Sequence, residues 1–315
     1  MVCLSFQLFF AFLLIFSTLP NLEQNKMDRL LVHQIVSGLS KLNSSSSSSS
    51  SSSEGESSCK VHRLEALIDR LLTTATDPTS SLGQILWYCV QNRTVEGHQL
   101  AAYLLNRLVE MNDHNQDRFK VASVVNYVHS SSCRTPLHLL AVDFSSQSAT
   151  NQHLIELLIE LGADALRADV HGLVPLHLVI RQLKEQNDGD QDEGEVIKVV
   201  GLLLQAMIKQ QSEAKNTTEE LLRKLAIVPA AIDADSLLVL EVLDQAEVHF
   251  SRRLTFEYLE YALQAEAGVQ VTGHLLKKLK SSSSTFAAEN ALSPIGLTLQ
   301  YNNHQALFQA IELGI

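Results

Sequence analysis

One stretch of this sequence has the spacing of a metal-binding loop. Asp188, Asp190 and Asp192 alternate along the chain, and carboxylates at alternate positions of a loop can converge on a calcium ion. Such a loop also needs a glycine at its sixth position and a glutamate at its twelfth, where this chain has Glu193 and Val199. We therefore expect a solvated acidic loop without a bound metal ion.

Cysteine and histidine side chains could together supply a nucleophile and its base. Cys133 and His138 lie five positions apart, but no acyl-transfer motif surrounds them. The twelve histidines form no H-x-x-x-H or H-E-x-x-H pattern for zinc, and no glycine-rich phosphate-binding loop occurs. The sequence thus predicts a protein that is not an enzyme, uses no cofactor and binds no metal.

Composition narrows the class of protein further. The chain has 315 residues, of which 45% are hydrophobic, enough for one large core or two modest ones and too many for wholesale disorder. The net charge of -11 argues against broad contact with nucleic-acid phosphates or anionic lipid. The four cysteines form no C-x-x-C pair, which favours reduced thiols over a disulfide framework.

Residues 1–26 form an apolar leader whose role stays open. Leu8–Phe16 is an unbroken apolar run, typical of a signal peptide and short for a membrane span of about 20 residues, but no basic segment precedes it. It is a cleaved signal peptide, an anchor formed by residues 1–20, or an untranslated segment upstream of a start at Met27. We expect a cytoplasmic protein, with N-terminal anchoring and secretion as alternatives; three N-glycosylation sequons would matter only for secretion.

Helical periodicity dominates the rest of the chain. Residues 27–43 predict a short helix, and the ten serines Ser44–Ser53 with the polar residues that follow predict a flexible linker over 44–58. Residues 59–130 predict helical hairpins with short connections such as Arg93–Gly97. Residues 206–280 predict a further helical region, and a second serine-rich linker covers 281–289.

The centre of the chain carries an internal repeat. The run Thr135-Pro136-Leu137-His138 is echoed by Val174-Pro175-Leu176-His177, and a leucine-rich helical pattern follows each copy. The first copy ends in Gly162-Ala163-Asp164, and a turn with the pattern D-x-x-G follows at Asp169–Gly172. A weaker third copy begins at Ser293-Pro294, with Gly296 in the position of the histidine.

This pattern resembles the ankyrin-repeat family, whose unit combines T-P-L-H-x-A, a second leucine-rich helix, G-A-D and a turn. The resemblance implies an all-α fold, an irregular solenoid of stacked helix pairs in which His138 and His177 tie one repeat to the next. The two motifs are 39 positions apart against a period of about 33. We therefore predict expanded inter-helix loops around Ser145–Asn151 and Glu185–Glu195. Residues 131–205 would hold two clear repeats and residues 290–315 a partial one.

The residue types of the motif have physical reasons. A proline at the first helical position, as at Pro136 and Pro175, lacks an N–H that would be unpaired there, and Thr135 can cap the helix. Leu137 and Leu176 follow in the helices, and Gly162 suits a left-handed helix end. The regions 59–130 and 206–280 are either degenerate repeats or unrelated helices.

Function follows as a prediction from this architecture. Stacked helix pairs present an extended surface that binds other proteins without chemistry, so we predict a non-catalytic interaction module or scaffold. The candidate contact residues lie in the turn between the two clear repeats: Arg167, Asp169, Val170 and His171. The partner is expected to be a protein and not a nucleic acid; the sequence determines neither its identity nor the oligomeric state.

Two alternatives remain at this point. Arg118–Ile180 resembles the later part of the Fem family of cullin substrate receptors, which implies a substrate-recruiting adaptor of a ubiquitin ligase, although no ligase-recruiting box is visible. A lumenal or secreted enzyme is the other alternative, suggested by the leader and the sequons. The last helical pattern also lacks a polar capping repeat, so we expect either a partner on that end or a longer chain.

Overall fold

The computed structural model describes ten ranges of the chain: residues 28–41, 54–74, 78–113, 120–142, 148–185, 193–212, 218–246, 250–281, 293–301 and 303–314. All regular secondary structure in these ranges is helical, which confirms the all-α prediction. Several segments lie outside the described residues: the leader, residues 42–43 of the predicted short helix, residues 44–53 of the first serine-rich linker, the loop residues Asp188, Asp190 and Asp192, and residues 282–292. None of the described helices has the length and apolar character needed to cross a bilayer.

The described residues form two compact units. The first contains the residues up to Leu140 together with His153–Ala163, and the second contains Ala141–Gln152 and the residues from Asp164 onward. Seven helices begin in the part of the chain up to Glu160: α1 (28–41), α2 (Glu54–Thr74), α3 (Thr79–Gln91), α4 (Val95–Asp113), α5 (Val121–Val125), α6 (Pro136–Val142) and α7 (Ser148–Glu160). The division between the units falls within α6 and α7.

In the first unit, α4 packs against α2 and α3, and α3 packs against α5. The Asn92 side chain donates to the carbonyl of Leu39 over 3.3 Å, which ties the end of α3 to α1. The core is aliphatic, and its members at the helix contacts are fully buried: Ile35, Ile68, Leu71, Leu104 and Leu108. The apolar stripes predicted from helical spacing thus form the core of this unit.

The second unit contains nine described helices: α8 (Pro175–Glu185), α9 (Glu193–Ser212), α10 (Thr218–Lys224), α11 (Ile227–Asp233), α12 (Leu237–Gln245), α13 (Arg252–Gln264), α14 (Val269–Ser281), α15 (Pro294–Gln300) and α16 (His304–Leu313). They pack in pairs, with α8 on α9, α11 on α12, α13 on α14 and α15 on α16. The first helices of successive pairs also contact one another, from α8 to α11, α13 and α15. The second helices do the same, from α9 to α12, α14 and α16.

Some helices begin earlier than the sequence predicts. α2 begins at Glu54, inside the predicted linker over 44–58. α4 begins at Val95, inside the predicted connection Arg93–Gly97. There the Thr94 hydroxyl accepts from the Gly97 amide over 3.0 Å and caps the helix.

The second helix of the first repeat is also longer than predicted. The sequence places a loop over Ser145–Asn151, but α7 already begins at Ser148, and Asn151 is fully buried within it. A polar run carries no hydrophobic period, so the pattern becomes visible only at Leu154, where the leucines start. The loop prediction is therefore wrong from Ser148 onward, and residues 145–147 of the predicted loop lie outside the described residues.

Candidate protein-binding surface

The first Pro-Leu-His motif starts α6 and is closed by a buried histidine. Nδ1 of His138 lies 3.2 Å from the backbone nitrogen of Thr135 and 2.8 Å from its hydroxyl oxygen. Both residues are buried, so the ring satisfies two polar groups that water cannot reach. His138 therefore fixes the first turn of α6. Cys133, the nucleophile considered above, lies exposed before this turn.

The second motif starts α8 with the same arrangement. The backbone N–H of Val174 donates to Nδ1 of His177 over 3.2 Å. Burial lowers the pKa of His177, while a hydrogen bond with the backbone of Leu225 and the negative charge of Asp169 oppose that shift. The Leu225 bond joins the start of α8 to the connection between α10 and α11, within the second unit.

Gly162 ends α7 in the left-handed conformation that the sequence predicts. Its φ is 87°, and this backbone conformation is higher in energy for a residue with a Cβ atom than for glycine. The Ala163 amide bonds the carbonyl of Leu158 over 2.8 Å and the Gly162 amide bonds that of Ile159 over 3.0 Å, the pair of bonds of a Schellman ending. The Asn126 side chain donates to the Gly162 carbonyl over 2.9 Å.

The turn that follows in the second unit is organised around Asp169. Its Oδ1 accepts from the amides of His171 over 2.8 Å and Leu173 over 3.1 Å. The Asp169 amide bonds the Leu173 carbonyl over 2.9 Å, and Gly172 closes the loop with a φ of 77°. Asp169 is only 6% exposed. This predicted contact residue therefore has its carboxylate oriented into the turn and not toward a partner.

The other three candidate residues lie on the outside of the same turn. Arg167 and His171 are exposed, and the Val170 side chain is 59% exposed. The structure thus brings an apolar side chain and two groups with hydrogen-bond donors together on a backbone that Asp169 holds in place. We call this turn, residues 167–172, the Asp169 turn.

Replacing Asp169 with alanine should lower the free energy of unfolding by about 2 kcal/mol, because two backbone amides of the turn would lose their acceptor. Asp169→Asn keeps an oxygen in the position of Oδ1 and should lose less than half of that amount. Urea denaturation followed by circular dichroism measures both values. Equal stability of Asp169→Ala and the wild-type protein would show that the carboxylate does not hold the turn.

A second exposed feature lies on the last helix pair, for which the sequence predicts no polar cap. Leu299 in α15 and Phe308 and Ile311 in α16 are all more than half exposed, with Phe308 at 66%. The packing of α16 buries Ala306 and Ala310 and leaves these larger side chains outside. Large exposed apolar residues of this kind occur where proteins contact one another.

Neither a protein-family model nor a curated protein matches this chain. Among the described residues, no group of three or more histidine, cysteine, aspartate or glutamate side chains is arranged to hold a metal ion. Burial raises the pKa of the Cys89 thiol to about 12, so this cysteine stays protonated. The Asp169 turn therefore remains the candidate site with the most defined geometry.

Proposed function

We propose that this protein is a non-catalytic protein-binding module that holds a partner protein at the Asp169 turn. The chemistry of the turn supports recognition, because its exposed groups are one aliphatic side chain, one guanidinium and one imidazole. These groups suit a partner surface in which acidic residues surround an apolar depression. We place the module in the cytoplasm, where exposed thiols such as Cys59 and Cys133 stay reduced.

The packing of the second unit supports an irregular ankyrin-type solenoid as the scaffold for this turn. Four helix pairs contact each other in series, first helix to first helix and second helix to second helix, as stacked repeats do. On this proposal α11 with α12 and α13 with α14 are repeats that lack the Pro-Leu-His motif. The hydrogen bond between His177 and the backbone of Leu225 then joins neighbouring repeats, which is the role that the family resemblance implies for this histidine.

The observation that carries the proposal is the contrast within the turn between buried Asp169 and exposed Val170. A loop whose backbone is already fixed by hydrogen bonds does not lose conformational freedom when a partner binds, so little affinity is lost to ordering. The side chains at its tip are presented in one arrangement. A loop with an exposed carboxylate and no internal bonds would lack this property.

The test compares two exposed valines. Val170→Asp places a charge in the Asp169 turn, and Val95→Asp places the same charge on α4 in the first unit, where Val95 is 53% exposed. Each variant and the wild-type protein is used to recover partners from cells, with quantitative mass spectrometry and circular dichroism as a check of folding. We expect Val170→Asp to recover about tenfold less of the specific partners than the wild-type protein does, which is the effect of removing a hot-spot contact. We expect Val95→Asp to recover as much of them as the wild-type protein.

The outcomes separate the candidate functions. Partners recovered equally with both variants would exclude the Asp169 turn as the binding surface. Recovery of a cullin with elongins on the wild-type protein, lost on Val170→Asp, would identify the module as the substrate adaptor of a ubiquitin ligase.

A further inference from the structure

The second unit contains a groove that lies away from the Asp169 turn, on its second helices. The floor is α14, and the walls are α12 on one side and α16 on the other, which both pack against α14. The groove has a volume of about 680 Å³, within the range of sites that hold small molecules or short peptide segments. We call it the α14 groove.

A glycine shapes the floor of the α14 groove. Val269, Gly273 and Lys277 follow one another at intervals of four residues, so they lie on one face of α14. A Cβ atom at Gly273 would lie 2.9 Å from Oε1 of Gln309 on α16, closer than real Cβ contacts. The missing side chain thus leaves room for the Gln309 amide to lie across the floor.

Gln309 brings an unused acceptor to this floor. Its Oε1 is buried, and no donor in the described part of the chain bonds to it. A buried acceptor of this kind lowers stability unless a donor reaches it. A bound molecule that contributes an N–H at the level of Gly273 would satisfy this oxygen if the Gln309 side chain turned toward the groove.

Charges in the groove favour a cation. Glu241 on the α12 wall and Glu312 on the α16 wall are exposed and line the groove, as does Lys277 on the floor. Within the described ranges none of the three makes an ion pair. His274, the other titratable residue of the lining, lies with Nε2 3.1 Å from Asp244 Oδ2. The two carboxylates outnumber the one lysine.

Two apolar side chains line the groove one helical turn before Glu241 and Gly273. Leu237 lies four residues before Glu241 on α12, and Val269 lies four residues before Gly273 on α14. The charged and the apolar positions of the groove are therefore about 5.4 Å apart along the helix axis. Two residues of an extended segment span about 6.6 Å, which is a similar distance. Side chains two residues apart in an extended segment point to the same side.

We propose that the α14 groove binds an extended segment of a partner protein in which a basic and an aliphatic side chain are two residues apart. The aliphatic side chain packs on Leu237 and Val269. The guanidinium or ammonium group donates to the Glu241 carboxylate and, once the Gln309 side chain turns toward the groove, to its Oε1. This site is independent of the Asp169 turn, so either proposal can fail without the other.

The test uses the full chain and a symmetric peptide, acetyl-Leu-Ser-Arg-Ser-Leu-amide, which presents the motif in both chain directions. The matched peptide has glutamate in place of arginine. With the protein immobilised, surface plasmon resonance should show at least about tenfold tighter binding of the arginine peptide, because its guanidinium donates charge-assisted hydrogen bonds to Glu241, which repels the glutamate of the matched peptide. Equal binding of the two peptides, or binding of neither, would overturn the proposal.

Variants locate the site. Glu241→Lys should weaken binding of the arginine peptide by about tenfold, whereas Glu160→Lys, the same change at an exposed position of α7, should leave it unchanged. Gly273→Ala is a second variant that fills the floor and displaces the Gln309 amide, and it should weaken binding severalfold while the helical circular dichroism is retained. Binding that is unaffected by both Glu241→Lys and Gly273→Ala would exclude the α14 groove.

Discussion

Replacing His138 with alanine should lower the free energy of unfolding by about 3 kcal/mol, one of the largest effects expected of any polar residue in this chain. The imidazole is fully buried, so its removal leaves a cavity in the core of the first unit. The amide and hydroxyl of Thr135 would also lose Nδ1 as a partner. Chemical denaturation at neutral pH measures the loss.

Two further variants separate the hydrogen bonds from the volume of the ring. His138→Asn places an oxygen near the position of Nδ1 and should recover about half of the lost stability, because the Thr135 groups regain an acceptor. His171→Ala removes an exposed imidazole from the Asp169 turn and should change stability by less than about 0.5 kcal/mol. If His138→Ala is no more destabilising than His171→Ala, the motif histidine does not support the start of α6.

The parts of this fold that the sequence predicts well are those set by local rules. The helical class follows from apolar spacing, and the left-handed Gly162 follows from the requirement for a residue without Cβ at a helix end. Ser293 likewise caps α15, with its hydroxyl accepting from the Gly296 amide over 3.1 Å, although Gly296 replaces the motif histidine. Each of these features depends on a few consecutive residues.

The features that sequence analysis missed depend on contacts that helical periodicity does not encode. Asp169 has the pattern of an exposed turn residue, and its burial becomes visible only when its carboxylate is seen to bond two amides of the closed turn. From sequence alone, Gly273 is expected only to weaken a helix. Its role in the α14 groove requires Gln309 and Glu241, which come from other helices and lie 36 and 32 positions away. A helical period identifies a buried face but not the neighbour that covers it, so the exposure of Phe308 was also missed.

The protein should lose stability as the pH falls below the ordinary histidine pKa of about 6.5, and His177 should contribute to that loss. Burial holds the pKa of His177 below its ordinary value of 6.5 in the folded protein. Between the lowered folded pKa and 6.5, the unfolded chain therefore binds a proton that the folded protein does not. The His177 contribution is fully present above the unfolded pKa and is lost as the pH falls toward the folded one, by no more than about 1.4 kcal/mol per pH unit.

A comparison with His177→Asn isolates this contribution. The asparagine oxygen can still accept from the Val174 amide but does not titrate, so the variant should be less stable than the wild-type protein at about pH 7.5 and should lose less stability on acidification to about pH 5.5. His171→Asn is the matched control, because it makes the same change at an exposed histidine, and its pH profile should follow that of the wild-type protein. Parallel pH profiles of the wild-type protein and His177→Asn would mean that His177 is not held neutral by burial at the start of α8.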